Sequence, residues 1–343
     1  MIESILAFEL LGLGTDLIVL FVAFGFMVGV FFGFFGMGGS FLVTPALLIL
    51  GYSAPVAIGS SMAFVFGTAV IATMKHHDAG QVDYRLGALM FVGITVGIEL
   101  GSRLVFGLEV LGIANVVVGV AYVVLLAAIG VLFTRSALNQ GEDDADSDDQ
   151  GDTDDEVPAI ARKIQSYNLP PMMTLADGSK ASLWTISGVG GGVGLVSGFL
   201  GVGGGFVRMP AIYYVIGTSL AAAVGTSLFG GLMSGAVGAF TYGRAGVIDL
   251  GIVTALLIGS SLGARIGSSA TAYVNEDDVT IYFGIMLLVA SLAVGLGELS
   301  EWLAMPVLDR ASFVLLIGSA LFVCATILYH GALAVRRTRS VSA

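Results

Sequence analysis

Runs of about 20 apolar residues recur along most of this 343-residue chain, and no other feature limits its fold as strongly. A helix needs about 20 apolar residues to cross the hydrocarbon core of a bilayer. Only 11% of the residues are charged, whereas soluble domains carry roughly 25%. The runs therefore predict an all-α, polytopic protein of the cell membrane with nine spans, near residues 17–35, 54–74, 85–106, 110–133, 184–201, 219–241, 249–272, 279–298 and 311–334.

Two further apolar pieces, residues 41–51 and 206–217, are too short to cross a membrane at 1.5 Å per residue. They predict broken or re-entrant half-helices. Each piece follows a cluster of glycines, and short helices beside such clusters are typical of transport sites.

The chain also repeats itself. Residues 33–45, GFFGMGGSFLVTP, realign on residues 198–210, GFLGVGGGFVRMP, with seven of 13 positions identical. After a one-residue insertion the match continues through the glycines of residues 93–101 and 259–267. This predicts two homologous repeats of about four helices each, followed by an extra carboxyl-terminal helix.

Three elements recur in both halves: a G-x-x-G-x-G-G-(G/S)-F-x-x-x-P motif, then a G-(S/T)-S segment, then a G-x-(V/I)-D loop. This pattern, which covers residues 17–133 and 184–298, resembles the sulfite exporter TauE/SafE family of membrane permeases. The resemblance implies a secondary transporter that exports or imports a small sulfur-containing or organic anion such as sulfite or a sulfonate. Because an inside-negative membrane potential expels a monovalent anion, we expect an exporter. An anion channel, or a non-transporting scaffold that presents an acidic linker, is the alternative.

Charge divides the chain into segments. Ten of the 25 acidic residues fall within residues 142–156, so the rest of the chain is nearly neutral. Such an acidic stretch with few apolar residues predicts a disordered linker. An Asp177-Gly178 turn signal after it predicts a small β-hairpin at the membrane surface. The predicted segments are a first repeat (1–136), the linker (137–166), the hairpin (167–183), a second repeat (184–299) and a carboxyl-terminal helix with a basic tail (300–343).

The two glycine clusters are the main candidates for substrate binding. Unwound backbone is tolerated in a membrane only where protein buries it or where it lines a cavity. Free amides at the start of each half-helix, together with the helix dipole, favour an anion. Alternatively, the glycines only allow close helix packing. The candidates are Gly38, Gly39, Ser40, Phe41, Gly203, Gly204, Gly205 and Phe206.

Arg208 lies in the second half-helix, where the first half has Val43. A guanidinium there suits the oxygens of a sulfonate or sulfite. The alternative is that the side chain extends to a membrane interface. Hydroxyl groups on the following helices are further candidate donors, or else bond to their own helix backbone. These are Ser60, Ser61, Thr226 and Ser227.

Glu99 and Arg265 occupy equivalent positions in the two halves, inside predicted spans. Charges within a membrane suggest function, but a structural ion pair is the favoured interpretation of these two. Glu99 is expected to pair with Arg103 one turn later or with Arg265 across the repeat, and it is the first carboxylate to test for coupling to a proton. A sodium ion is the other coupling ion considered.

Other classes of protein are disfavoured. All three histidines lie at predicted span ends, so we expect neither an enzyme nor a metal site. No phosphate-binding G-x-x-x-x-G-K-(S/T) loop occurs, and no cofactor or nucleic-acid partner is expected. Basic residues favour a cytoplasmic location for both the linker and the carboxyl-terminal tail. Five predicted spans separate these two segments, so either a half-helix changes the count or the linker lies outside.

Overall fold

The computed structural model describes residues 14–35, 39–78, 84–143, 170–174, 180–218, 220–271, 276–303 and 305–341. These residues form eleven helices and a two-stranded sheet. The helices are α1 (Thr15–Phe35), α2 (Val43–Ile49), α3 (Ala54–Asp78), α4 (Tyr84–Val110), α5 (Ala114–Asp143), α6 (Leu183–Leu200), α7 (Gly205–Ala211), α8 (Leu220–Arg244), α9 (Leu250–Ala270), α10 (Glu276–Leu303) and α11 (Pro306–Val341). The fold is all-α and polytopic, as the sequence predicts.

Within the described ranges, seven helices are long and apolar enough to cross a membrane: α1, α4, α6 and α9 in full, and residues 114–135, 281–303 and 306–331 of α5, α10 and α11. The predicted spans at 54–74 and 219–241 form α3 and α8. These two helices pack against each other.

The two predicted half-helices are short in the structure. A 3₁₀ turn over Gly39–Leu42 leads into α2, and a wide helical turn over Ile212–Ile216 follows α7. Neither segment is long enough to cross the hydrocarbon core of a membrane. A small hairpin pairs β1 (Met172–Thr174) antiparallel with β2 (Lys180–Ser182). The Asp177 turn, residues 144–166 of the predicted linker and residues 167–169 of the predicted hairpin segment lie outside the described residues. Helix α5 continues seven residues into that predicted linker, to Asp143.

Glycines bring helices from the two halves into close contact. On α1, Gly25, Gly29 and Gly33 lie against the backbone of α9, and on α4, Gly93, Gly97 and Gly101 lie against the backbone of α6. In each pair, residues later in one helix contact residues later in the other, so the two helices are parallel. These are the small-residue interfaces that let membrane helices approach closely.

The equivalent helices of the two halves run in opposite directions. In α3 and α8, Met62 lies against Gly238 and Phe66 against Gly235, so the two helices are antiparallel. The same is true of α5 and α10, in which Gly130 lies against Leu288 and Gly295 against Val123. Because α2 and α7 each turn the chain back, α1 and α3 run in the same direction, and so do α6 and α8.

The helix directions place the linker and the carboxyl-terminal tail on one face. Helix α11 runs antiparallel to α10, since Ser312 Oγ donates to the Ala293 carbonyl and Tyr282 contacts Phe322. It therefore ends on the face where α5 ends and α6 begins. Several basic residues of the described ranges are on that face, and cytoplasmic segments carry such an excess. They are Arg85, Arg135, Lys180, Arg336, Arg337 and Arg339. The linker that joins α5 to α6 adds Arg162 and Lys163 to the sequence.

This arrangement predicts a cytoplasmic linker and tail. In a Cys324→Ala background, Leu111→Cys lies in the α4–α5 loop on the opposite face. We expect a membrane-impermeant thiol reagent to label this variant in intact cells, and to label Asp148→Cys and Ser340→Cys only after lysis. Labelling of either of the last two in intact cells would contradict the prediction.

Candidate functional site

The two glycine segments meet inside the bundle. Ser40 Oγ, at the start of the first half-helix, donates a hydrogen bond of 2.6 Å to the Val202 carbonyl of the second segment. Ser61 Oγ on α3 donates to the Gly201 carbonyl at 2.9 Å. All four residues are buried. The structure therefore brings together the two unwound segments that the sequence singles out.

Nearly every backbone carbonyl of the second unwound segment accepts a hydrogen bond from a side chain. Unwound backbone needs such partners because a membrane interior offers no water. In chain order the donors are Tyr242 to Gly198, Tyr122 to Leu200, Ser61 to Gly201, Ser40 to Val202, Arg208 and Ser234 to Gly203, and Ser227 to Gly205. Ser61 and Ser227, two of the expected substrate donors, thus donate to backbone carbonyls here.

Glycine is required in this segment by conformation. Gly201, Gly203 and Gly204 have φ angles of 75°, 63° and 75°, a region that residues with a β carbon rarely adopt. A β carbon on Gly204 would also lie 2.5 Å from Ser197 Oγ and 3.0 Å from Arg208 Nη2. The segment can therefore turn sharply beside Arg208 only because these residues have no side chains.

Arg208 is fully buried, with 0% of its surface exposed. Its Nη1 donates to the Ser227 carbonyl at 2.9 Å, and its Nη2 donates to the Gly203 carbonyl and to Ser234 Oγ. Its Nε has no hydrogen-bond partner among the described residues. The side chain does not extend to an interface, and no described carboxylate forms an ion pair with it.

A cavity of about 20 Å³ lies between the two segments, which is room for about one water molecule. Its lining includes Ser40, Gly203, Gly205, Ser227 and Gly231. The other lining residues are Phe32, Val65, Ala69, Val202 and Leu228. The cavity lining is mostly apolar, because the nearby hydroxyls already bond to the backbone.

The remaining candidates lie apart from Arg208 or are only partly described. Ser60 Oγ accepts a hydrogen bond from the Asp249 amide at 3.0 Å, and the Phe41 ring packs edge-on against Phe283. Thr226 is buried. Gly38 and the side chain of Phe206 lie outside the described residues. Ser60 and Phe41 therefore stabilise the fold around the site.

Glu99 and Arg265 do not pair. Glu99 forms an ion pair of 3.0 Å with Arg103 and one of 3.6 Å with Arg244 at the end of α8. Its side chain is 34% exposed, and Arg265 is exposed on α9. Of the two expected pairings of Glu99, the local one with Arg103 is present, and Arg244 joins it.

Sequence patterns give no signal for four residues around the site. Tyr122, Tyr242 and Ser234 donate to the unwound segment from α5 and α8, and Ser197 Oγ on α6 is buried without a hydrogen-bond partner among the described residues. A lone tyrosine or serine in an apolar run is too common to stand out. Only the meeting of the helices shows what these side chains contact.

Comparison with known proteins establishes the relationship that the repeat suggests. The family model described as "Sulfite exporter TauE/SafE" matches residues 21–294. The chain belongs to the TauE/SafE family. Both glycine segments, Arg208 and the cavity lie within the matched residues, so the site is built from the part of the chain that the TauE/SafE family shares.

Several curated relatives are also similar. A "Probable membrane transporter protein" of Xylella fastidiosa strain Temecula1 is 27% identical over 60% of this chain and 69% of its own length. "Probable membrane transporter protein YunE" of Bacillus subtilis strain 168 is 31% identical over 24% of this chain and 31% of its own length. No solved structure matches significantly. As a TauE/SafE protein with seven spanning-capable helices, this chain is a multi-pass membrane transporter.

Proposed function

We propose that the protein is a secondary transporter that exports a small sulfur-containing or organic anion, such as sulfite or a sulfonate. The observation that carries the proposal is Arg208, a guanidinium buried at the junction of the two unwound segments. A buried charge without a counter-charge is costly. An anionic substrate is the natural partner for this one.

Backbone amides support the same assignment. Side chains satisfy the carbonyls of residues 200–203 and 205, yet no acceptor for the amides of Gly203, Gly204 and Gly205 is found among the described residues. Adjacent amides without acceptors form concave sites suited to anions. Together with Arg208, they offer only donors and positive charge.

The closed packing favours a carrier over an open channel. A direct hydrogen bond from Ser40 joins the two segments, and Ser61 on α3 donates to the second one. The cavity between the segments has room for about one water molecule. An anion therefore needs a rearrangement of the helices to reach Arg208. The opposite orientation of the two halves is typical of transporters in which one bundle moves against the other.

Membrane potential favours export. An inside-negative potential expels a monovalent anion with about 2.3 kcal/mol per 100 mV, so efflux needs no coupled ion. Uptake against that potential needs one, and Glu99, the carboxylate first considered for that role, is held in two ion pairs.

The proposal is tested by flux through purified protein in liposomes, with sulfite, sulfonates, thiosulfate and sulfate as substrates. We expect saturable flux of at least one of these anions. A current that rises linearly with voltage and does not saturate would indicate a channel. Absence of flux for every anion would contradict the proposal.

Gly231→Ala tests the location of the site. A β carbon there would make ordinary contacts, 3.7 Å from Arg208 Nη1 and 3.9 Å from the Ala69 β carbon, so it fills the cavity without a clash. We expect at least about a tenfold loss of flux with unchanged thermal stability, because the methyl group occupies the space beside the guanidinium.

The matched control is Gly243→Ala on the same helix, where the new β carbon would lie 3.5 Å from Ile248 Cδ1. It lies about 18 Å from Gly231 along α8. Both variants make the same chemical change in one helix, so normal flux in both would show that the cavity is not on the substrate's path.

A further inference from the structure

We propose that the Arg208 site selects monoanions over dianions and that Ser197 is its second side-chain ligand. The inference rests on the proposed function and specifies the charge of the substrate. The charge preference follows from the number of charged groups in the site.

Arg208 is the only charged residue among the described buried residues. The guanidinium stays protonated, and its acceptors, the carbonyls of Ser227 and Gly203 and the hydroxyl of Ser234, are all neutral. The described ion pairs involve Glu99 and lie elsewhere. The closed site thus holds one positive charge.

One negative charge neutralises this site, whereas two leave a net negative charge buried away from water. The second charge of a dianion finds no cation there, and burying an unpaired charge is unfavourable. The geometry therefore favours a sulfonate or hydrogen sulfite over sulfate or thiosulfate. A difference of about 100-fold in transport is the scale expected for one uncompensated buried charge.

Ser197 supplies the second observation. Its Oγ is fully buried and has no hydrogen-bond partner among the described residues, and the same is true of Arg208 Nε. Ser197 Oγ and Arg208 Nη2 approach Gly204 from α6 and α7, each within 3.0 Å of where a β carbon would be. Buried polar atoms without partners are rare in native structures. A bound oxyanion could accept from both groups once the helices part.

The charge preference is tested with methanesulfonate and sulfate, which share a tetrahedral sulfur but differ by one charge. Flux of each labelled anion through the purified protein in liposomes is measured at zero membrane potential, without sodium. We expect methanesulfonate to move at least about 100-fold faster. Equal rates, or faster sulfate, would overturn the charge preference while leaving anion transport standing. If neither anion nor sulfite moves, the proposed function itself fails.

Ser197→Ala tests the second ligand. Removing a polar atom that has no partner should leave the thermal stability unchanged or slightly higher. We nevertheless expect the half-saturating methanesulfonate concentration to rise about tenfold, the effect of one lost hydrogen bond to a charged group. Ser269→Ala, at an exposed serine of α9, is the control and should change neither quantity. An unchanged half-saturating concentration in Ser197→Ala would remove Ser197 from the site.

Discussion

Replacing Gly97 with valine is expected to destabilise the protein by about 3 kcal/mol or more, and so to prevent recovery of folded protein. Gly97 lies where α4 packs against α6, and a β carbon there would lie 2.6 Å from the Leu195 amide nitrogen and 2.9 Å from the Gly194 carbonyl carbon. Backbone atoms cannot move aside as a flexible side chain can. The two parallel helices must separate, which costs more than ordinary overpacking of 1–3 kcal/mol.

The measurement is the yield of monodisperse protein after extraction in detergent, together with its thermal midpoint. Gly192→Val is the matched control, because Gly192 is an exposed glycine of α6 with nothing within 4 Å of a β carbon. Both variants pay the same cost of a branched residue in a helix. Equal midpoints for the two variants would show that close packing at Gly97 contributes little.

Replacing Arg208 with alanine is expected to raise the half-saturating anion concentration by about 100-fold, and replacing it with lysine by much less. Lysine keeps the charge but loses the planar set of donors that reaches Ser227, Gly203 and Ser234. Alanine removes both. Loss of a buried charge–charge interaction commonly costs this much in affinity.

The half-saturating anion concentration of each variant is measured in liposomes, with the anion that the wild-type protein transports fastest. Arg265→Ala serves as the control, because Arg265 is exposed on α9 and is not part of the junction. Stability is measured for each variant, since Arg208 also donates to the unwound backbone. Near-normal kinetics for both Arg208 variants would leave the side chain a purely structural role.

Much of the fold could be predicted from the sequence because its signals are local. Apolar runs mark all nine long helices, since lipid imposes length and composition on each span separately. The short pieces at residues 41–51 and 206–217 are similarly visible from length alone.

The candidate site was only partly predictable. The repeated glycines locate the two unwound segments, and the isolated charge of Arg208 is conspicuous in an apolar stretch. The partners of Ser60, Ser61 and Ser227 were not predictable, because a hydroxyl can bond to substrate, to its own helix or to a distant carbonyl. In the structure each of the three bonds to distant backbone.

The sequence by itself determined that this is an all-α membrane protein of the TauE/SafE family, with two glycine-rich breaks and one arginine beside the second. Only the tertiary structure decided the relative direction of the two halves, the closure of the cavity, and the roles of Tyr122, Ser197 and Ser234. The physical reason is the distance along the chain over which each interaction acts. Burial in lipid acts on each segment alone, whereas most partners of the unwound backbone come from elements far away in the chain, as with Ser40 and Val202, which are 162 residues apart.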